Sequence, residues 1–504
     1  MRQFSSNAAT QPALLQVHAA DSVAVCLREV SAGERLALAD GIIAIGTDTP
    51  RGHKVALRHH KADEVVIKYG HGIGLATADI EAGAHVHVHN LRSGLAQNDQ
   101  YTYIEPAARA PVTSLRREFL GYRRADGQVG IRNEVWILCT VGCVAETVRR
   151  IADQARVRFA GCTDGIFAFG HPFGCSQLGD DLNGTRQVLA ALAQHPNAGA
   201  VLVVGLGCEN NQLSALIAQL GARSPERLAY FNAQAVADEI EAGVEALEPL
   251  VEKMSADRRS PCDLKDLVIG LKCGGSDAFS GLTANPLVGR ICDAVTDSGG
   301  TAILSEIPEL FGAERVLMAR CRDRPTFAAF TELINEFKNY FTAHQLPIFE
   351  NPSPGNRQGG ITTLEEKSLG AVQKGGNAEV TQIVRYGGRA TCKGLVILES
   401  PGNDAVSTTA MIAAGAVIVL FTTGRGTPLG FPAPTLKISS NTDLASRKPR
   451  WVDFDAGSLI EGADRDRLTG DLLDLITAVA SGKPARHEEA GAREIALWKR
   501  GVTL

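Results

Sequence analysis

The chain has 504 residues, 44% of them hydrophobic and 21% charged, a composition that excludes a disordered chain and predicts two or three globular domains. The net charge is -5, from 51 basic and 56 acidic residues, and aromatics make up 5%, so no nucleic-acid partner is expected: there is neither a basic excess nor a supply of stacking platforms. The 52 glycines predict many tight turns or backbone-lined sites.

The first ten residues, MRQFSSNAAT, carry one arginine and no apolar core, so they are not read as a signal peptide. Residues 12–91 alternate in short runs, VAVCLREV, KVALRHH, EVVIKYG and AHVHVHN, separated by glycine-bearing or acidic turns; this period of two predicts a small β domain. Seven of the 12 histidines fall between His53 and His89. Residues 92–114 are polar, carry two prolines and read as a linker.

Beyond it the texture changes. VWILCTVGC, AVLVVGLGC, LVIGLKCGG, LVILESPGN and AVIVLFTTG are continuous apolar runs that each enter a polar or thiol-bearing loop. Such runs alternating with helices predict an α/β fold with mainly parallel sheets covered on both faces, in two units at 115–254 and 262–504. Ser224 and Pro225 followed by ERLAYFNAQAVADEIEAGVEALEPLVEKM predict one capped helix. The longest apolar stretches, 200–206 and 413–421, are far short of the roughly 20 residues that span a bilayer, so no membrane is expected. Eleven cysteines spread over a chain of this size read as reduced thiols, which predicts a cytoplasmic protein.

In parallel sheets ligands bind beyond the carboxyl ends of the strands, so the chemistry is expected there. His85, His87 and His89 on one strand would share a face and, with His53, would offer neutral nitrogens to iron, manganese or zinc; the plainer alternative is a solvated edge strand. Cys143, Cys175, Cys208 and Cys273 stand at strand ends without C-x-x-C spacing, and either converge or simply pack where strands meet loops. Glu209, Asp277, Glu306 and Asp404 lie in glycine-rich loops, as metal ligands or bases or else as helix caps. Asp180 and Asp181 are adjacent and diverge, unlike a glycosidase pair. Arg132 and Arg425 sit among glycines and suit a carboxylate. There is no Walker A pattern, and no G-x-G-x-x-G among these loops, so a dinucleotide is disfavoured. The residues alone predict an α/β enzyme with a metal and an anionic substrate.

The motifs GYRRADGQVGIRNEVWILCTVGC, HPFGCSQLGDD, GLGCENNQ, LKCGGSDAFSGLTANP, SEIPELFGAE, ENPSPGN, GGITTLEEKSLGAVQKGG and PAPTLKISSNT together resemble the altronate and galactarate dehydratase family. GHKVAL, VIKYGHGIG and VHVHN resemble the SAF (β-clip) domain of that family. The resemblance implies a hydro-lyase that removes water from a sugar acid: D-altronate, going to 2-keto-3-deoxy-D-gluconate, or alternatively galactarate. It also implies a divalent metal, Fe2+ first and Mn2+ second, and a homodimer. The roles assigned on that basis are His53, His87, His89, Glu209, Asp277, Cys208 and Cys273 toward metal; Arg132, Asn133, Arg425 and Asn356 toward substrate; and His53, His171, Lys272 and Lys367 as acid or base. A sugar-acid binding protein is the non-catalytic alternative, because SAF-like domains also serve as binding modules.

Overall fold

A computed structural model describes residues 12–38, 41–96, 100–107, 115–220 and 227–504. The small N-terminal domain is built from short antiparallel strands. Leu14–Leu15, Val23–Cys26, Lys54–Ala56 and His85–Val86 form one sheet, and Val65–Lys68, His71–Ala76 and Leu91–Arg92 another. The run AHVHVHN is strand only at His85–Val86. Asn90 then closes a turn, its side chain accepting from the His87 N–H and donating to the His85 carbonyl, so the later histidines leave the pleat.

The first α/β unit is a four-stranded parallel sheet. Its strands are β1 (Glu134–Cys139), β2 (Ile166–Phe169), β3 (Ala198–Gly205) and β4 (Leu228–Asn232), in the order β2-β1-β3-β4. The apolar runs of β1 and β3 follow from burial on both faces. Val135, Ile137 and Cys139 pack in one core with the helices Ala145–Arg158 and Glu239–Met254. Trp136 and Leu138 face a second core that continues into the other unit.

The helix expected after Ser224 and Pro225 is corrected. Those two residues lie outside the described ones, Leu228–Asn232 is strand β4, and the helix begins only at Glu239. Leu, Tyr and Phe in LAYFN pair in parallel with β3, a tertiary gain that overrides the local helical pattern. Asp238 starts the helix by accepting from the Ile240 and Glu241 N–H groups.

The second unit is a seven-stranded parallel sheet. Its strands are β5 (Val268–Cys273), β6 (Thr301–Leu304), β7 (Val380–Val384), β8 (Gly394–Leu398), β9 (Ile418–Thr423), β10 (Thr435–Ser439) and β11 (Phe454–Asp455), ordered β7-β8-β6-β5-β9-β10-β11. From β5 the chain passes to β6 and then to the edge strand β7, returns with β8 between those two, and β9 then crosses to the other side of β5. The switch point therefore falls between β5 and β9, where the loops carrying Asp277 and Arg425 meet.

The two units interlock. Glu118–Arg123 pairs with Ser260–Asp263, and the segment around Glu488 and Arg493 reaches back to the first unit. No helix among the described residues is long and apolar enough to cross a membrane.

Candidate active site

The histidines of the small domain are brought together by its tight turns. His53 precedes the strand Lys54–Ala56, and His85 pairs across from Val55. His53 Nδ1 lies 3.0 Å from His85 Nε2, and the His53 and His87 ring centroids are 4.6 Å apart. One ring nitrogen from each of His53, His85 and His87 lies within 4.8 Å of the others. Burial lowers all three basicities, His85 to about 4 and His87 to about 3, with Lys54 and the neighbouring rings pushing the same way. These are the neutral imidazoles a metal requires. His87 Nδ1 is buried with no hydrogen-bond partner, an orphan that a metal bond would satisfy. His89, at a ring distance of 5.3 Å from His85, stays exposed at the rim and outside the donor set.

Beneath the small domain lies the carboxyl end of the seven-stranded sheet. Lys272, in β5, is fully buried; its ammonium contacts Glu306, Asp404 at 2.7 Å and the Cys273 carbonyl at 2.7 Å. Burial alone would lower it, but the carboxylates outweigh burial and hold it charged. Lys374 Nζ lies 2.8 Å from Cys273 Sγ. Lys367 donates to Glu309 at 2.8 Å, Asn351 at 2.9 Å and Asn356 at 3.2 Å.

Cys273, Glu306 and Glu309 form a second set of ligand-type atoms within 4.8 Å. This set does not suit a metal as well. Lys272, Lys367 and Lys374 already balance Glu306, Glu309 and Asp404, and burial pushes the Cys273 thiol up to about 12. The imidazole set, uncharged and short of a partner, is the better fit.

One short helix joins the two halves. Pro354–Gln358 offers Asn356 to Lys367, the Gln358 carbonyl to His53 Nε2 at 3.3 Å, and the Gln358 amide oxygen to Arg425 at 2.9 Å. The Arg425 guanidinium is otherwise exposed.

A buried ion triad holds the domains in register. Lys54 and Lys68 of the small domain donate to Glu366 at 2.9 and 2.7 Å. Burial would raise Glu366, yet the two ammonium groups hold it well below the usual carboxylate range. A cavity of about 10 Å³ at this junction is lined by Lys68, Tyr69, Glu366, Lys367, Cys273 and Asp277, room for about one water.

The comparisons with known proteins agree with this architecture. Residues 12–94 match the altronate/galactarate dehydratase SAF domain. Residues 121–255 match the second domain of D-galactarate dehydratase/altronate hydrolase, and 264–503 the C-terminal domain of D-galactarate/altronate dehydratase. The chain is 50% identical over 492 residues to an altronate dehydratase of Escherichia coli K12, covering 97% of this chain and 99% of that one. It is 45% identical to an altronate dehydratase of Bacillus subtilis 168, with the same coverage, and 33% identical to the galactarate dehydratase (L-threo-forming) of E. coli K12 over 93% of each. The chain belongs to the altronate/galactarate dehydratase family. It is an enzyme of a hydro-lyase family.

In this dehydratase several residues read as site residues do other work. Arg132 does bind a carboxylate, but that of Glu488, at 2.8 and 3.0 Å; it also donates to the Ile131, Val479 and Lys483 carbonyls, and its fork is full. Asn133 accepts from Arg124 at 3.0 Å in the same interlock. Asp277 accepts from Ser280, Ser440 and Asn441, which leaves it a loop brace rather than a metal ligand.

His171 ties the loop after β2 to β1: its Nε2 lies 2.9 Å from the Cys139 carbonyl, and its Nδ1 accepts from the Phe173 N–H. With both nitrogens bound and burial lowering it to about 4, it is scaffold. Glu209 accepts from the Leu206 and Gly207 N–H groups and from Thr140. The four thiols do not end one sheet. Cys143, Cys175 and Cys208 are exposed on the first unit, whereas Cys273 is buried at the end of β5 in the second.

The reading of the sequence missed Lys54, Lys68, Glu366, Lys374 and Glu309. Their signal was charge inside otherwise apolar or glycine-rich surroundings, as in HKVALR and LEEKSLGAVQKGG.

Proposed function

We propose that this protein dehydrates D-altronate to 2-keto-3-deoxy-D-gluconate and water, using divalent iron, or manganese in its place, held by His53, His85 and His87. The substrate rests on one observation: 50% and 45% identity to altronate dehydratases across nearly the whole chain, against 33% to a galactarate dehydratase. When bound, the metal polarises the substrate carboxylate and stabilises the charge that builds as the C2 proton leaves.

The chain's own residues supply the rest. Arg425, free but for its bond to Gln358, grips the substrate carboxylate with its fork. His89, the exposed imidazole beside the donor set, takes the C2 proton. Lys367, oriented by Asn351 and Asn356 and paired with Glu309, gives its proton to the C3 hydroxyl, which departs as water. The enol left behind becomes the keto acid in solution. Lys272 is sealed among carboxylates and serves as a fixed positive charge rather than a base. Eleven free thiols suit a reducing compartment, the cytoplasm.

The test is keto-acid release from D-altronate and from galactarate by protein purified without oxygen, chelated, then given back iron(II), manganese or zinc. Iron-restored turnover of altronate with little from galactarate is expected. Preference for galactarate would reassign the substrate, and no release from either acid with any metal would sink the proposal.

A further inference from the structure

We propose that Cys143, Cys175 and Cys208 form a three-thiolate iron site in the first α/β unit, separate from the imidazole set. The three thiols follow β1, β2 and β3, which are neighbours in the sheet order β2-β1-β3-β4. They stand at its carboxyl end, across the switch point between β1 and β3.

The loops that carry them are bound to one another. The Gly142 N–H donates to the Phe173 carbonyl at 2.8 Å, and the Asn211 N–H to the Gly174 carbonyl at 2.8 Å. The Ser176 N–H donates to Asn210 Oδ1 at 2.8 Å, and Asn211 Nδ2 to the Thr140 carbonyl at 3.0 Å. His171 and Glu209, the scaffold groups described above, fasten the second and third loops to the first. The approach is so close that a Cβ on Gly174 would fall 2.1 Å from the Thr140 oxygen.

This frame sets three exposed cysteines on adjoining loops, and of their thiols Cys208 Sγ accepts from Gln234 Nε2 at 3.6 Å. Unpaired cysteine is ordinarily among the most buried residue types, and Cys139, on the same sheet, is buried. Only one other described thiol, Cys162, is exposed. Small size and good packing account for Cys139 but not for three solvent-facing thiols on three fastened loops. Thiolates are soft ligands that select iron in sulfur coordination, zinc or copper(I). A single ion with bonds of about 2.3 Å draws its sulfurs to roughly 3.8 Å apart. The three Sγ atoms do not all lie within 4.8 Å of one another, so a single ion would have to draw the loops together, whereas a cluster, in which each thiolate binds a different iron, requires less approach. Three thiolates leave one coordination position open in either form.

The experiment uses the full chain, purified without oxygen, chelated, and incubated with iron(II) alone or with equal amounts of iron(II) and iron(III) together with sulfide. Bound iron, acid-labile sulfide and visible sulfur-to-iron charge-transfer absorption are measured after desalting. Iron with matching sulfide identifies a cluster; iron with the same absorption but no sulfide identifies a single ion at the same thiolates. In either case Cys143→Ser, Cys175→Ser and Cys208→Ser are each expected to reduce the absorption at least tenfold, while Cys162→Ser and His53→Ala leave it unchanged. The proposal is overturned if no charge-transfer band forms, or if the band survives in the triple serine variant. Melting temperatures show that the serine variants remain folded, and because the readout is independent of altronate turnover, it stands or falls apart from the proposed reaction.

Discussion

Glu366→Gln tests how the small domain is fastened over the sheet. The change keeps the side-chain shape and removes one charge, leaving the Lys54 and Lys68 ammonium groups, 0% and 1% exposed, without a counter-charge. Breaking a buried ion pair in this way costs about 3–5 kcal/mol. Both lysines belong to the small domain and Glu366 to the helix Leu364–Ala371, so the loss falls on the contact between them. At about 1.4 kcal/mol per factor of ten, the opened fraction rises by roughly two to three and a half orders of magnitude. Hydrogen exchange followed by mass spectrometry reads this directly. Peptides spanning Lys54–Ala56 and Val65–Lys68 should exchange faster by that factor, while β5 and β9 keep their protection. Adding Lys54→Met and Lys68→Met should recover much of the loss, since apolar groups of similar size replace the stranded charges.

The pH dependence has a definite sign. The folded value of Glu366 is depressed, so its contribution is full above the unfolded value of about 4.3 and is lost as pH falls through the folded one. The gap between wild type and variant therefore narrows in acid. Unchanged exchange in the small domain at neutral pH would refute the argument that this triad carries the docking.

Three further outcomes are expected. His87→Ala, loaded with manganese alone, should bind at least tenfold less of it by elemental analysis with a nearly unchanged melting temperature, since thiolates do not select that hard ion; full manganese content would remove the imidazole set from the site. Arg425→Lys should raise the KM for the sugar acid about tenfold, since a lysine cannot make the planar two-point contact, and an unaltered KM would place the carboxylate elsewhere. Arg132→Ala should destabilise the protein by about 3–5 kcal/mol in denaturant unfolding and leave the KM of the surviving enzyme unaltered, because its partner is Glu488; a raised KM would restore it to the substrate.

The strands whose whole length is apolar were legible from the sequence, because burial on both faces leaves no other composition open to them. LAYFN was not: its neighbours continue a helical pattern, and only pairing with β3 decides for strand. The histidine cluster was legible as a concentration of one residue type, although the turn at Asn90 dissolves the single face expected of a strand. Lys54 and Arg132 were obscure for a common reason. Their partners, Glu366 and Glu488, lie 312 and 356 positions away, and no local pattern announces a pairing at that distance. Glycines around Arg132 looked like an anion site; they serve instead a backbone packed against Pro196, where a Cβ on Gly130 would fall 2.0 Å from the carbonyl oxygen.

The clasp between Glu488, Arg493 and the first unit also sets a timetable. A ribosome adding about 5–20 residues each second needs roughly 20–70 s to travel from Arg132 to Glu488. Throughout that interval Arg132 and Glu134, both buried in the finished protein, lack Glu488 and Arg493. Glu134, already holding the Trp136 N–H within the first unit, meets Arg493 only when the clasp closes. The first unit is thus completed only by nearly the last residues of the chain, and closing the clasp is its final step.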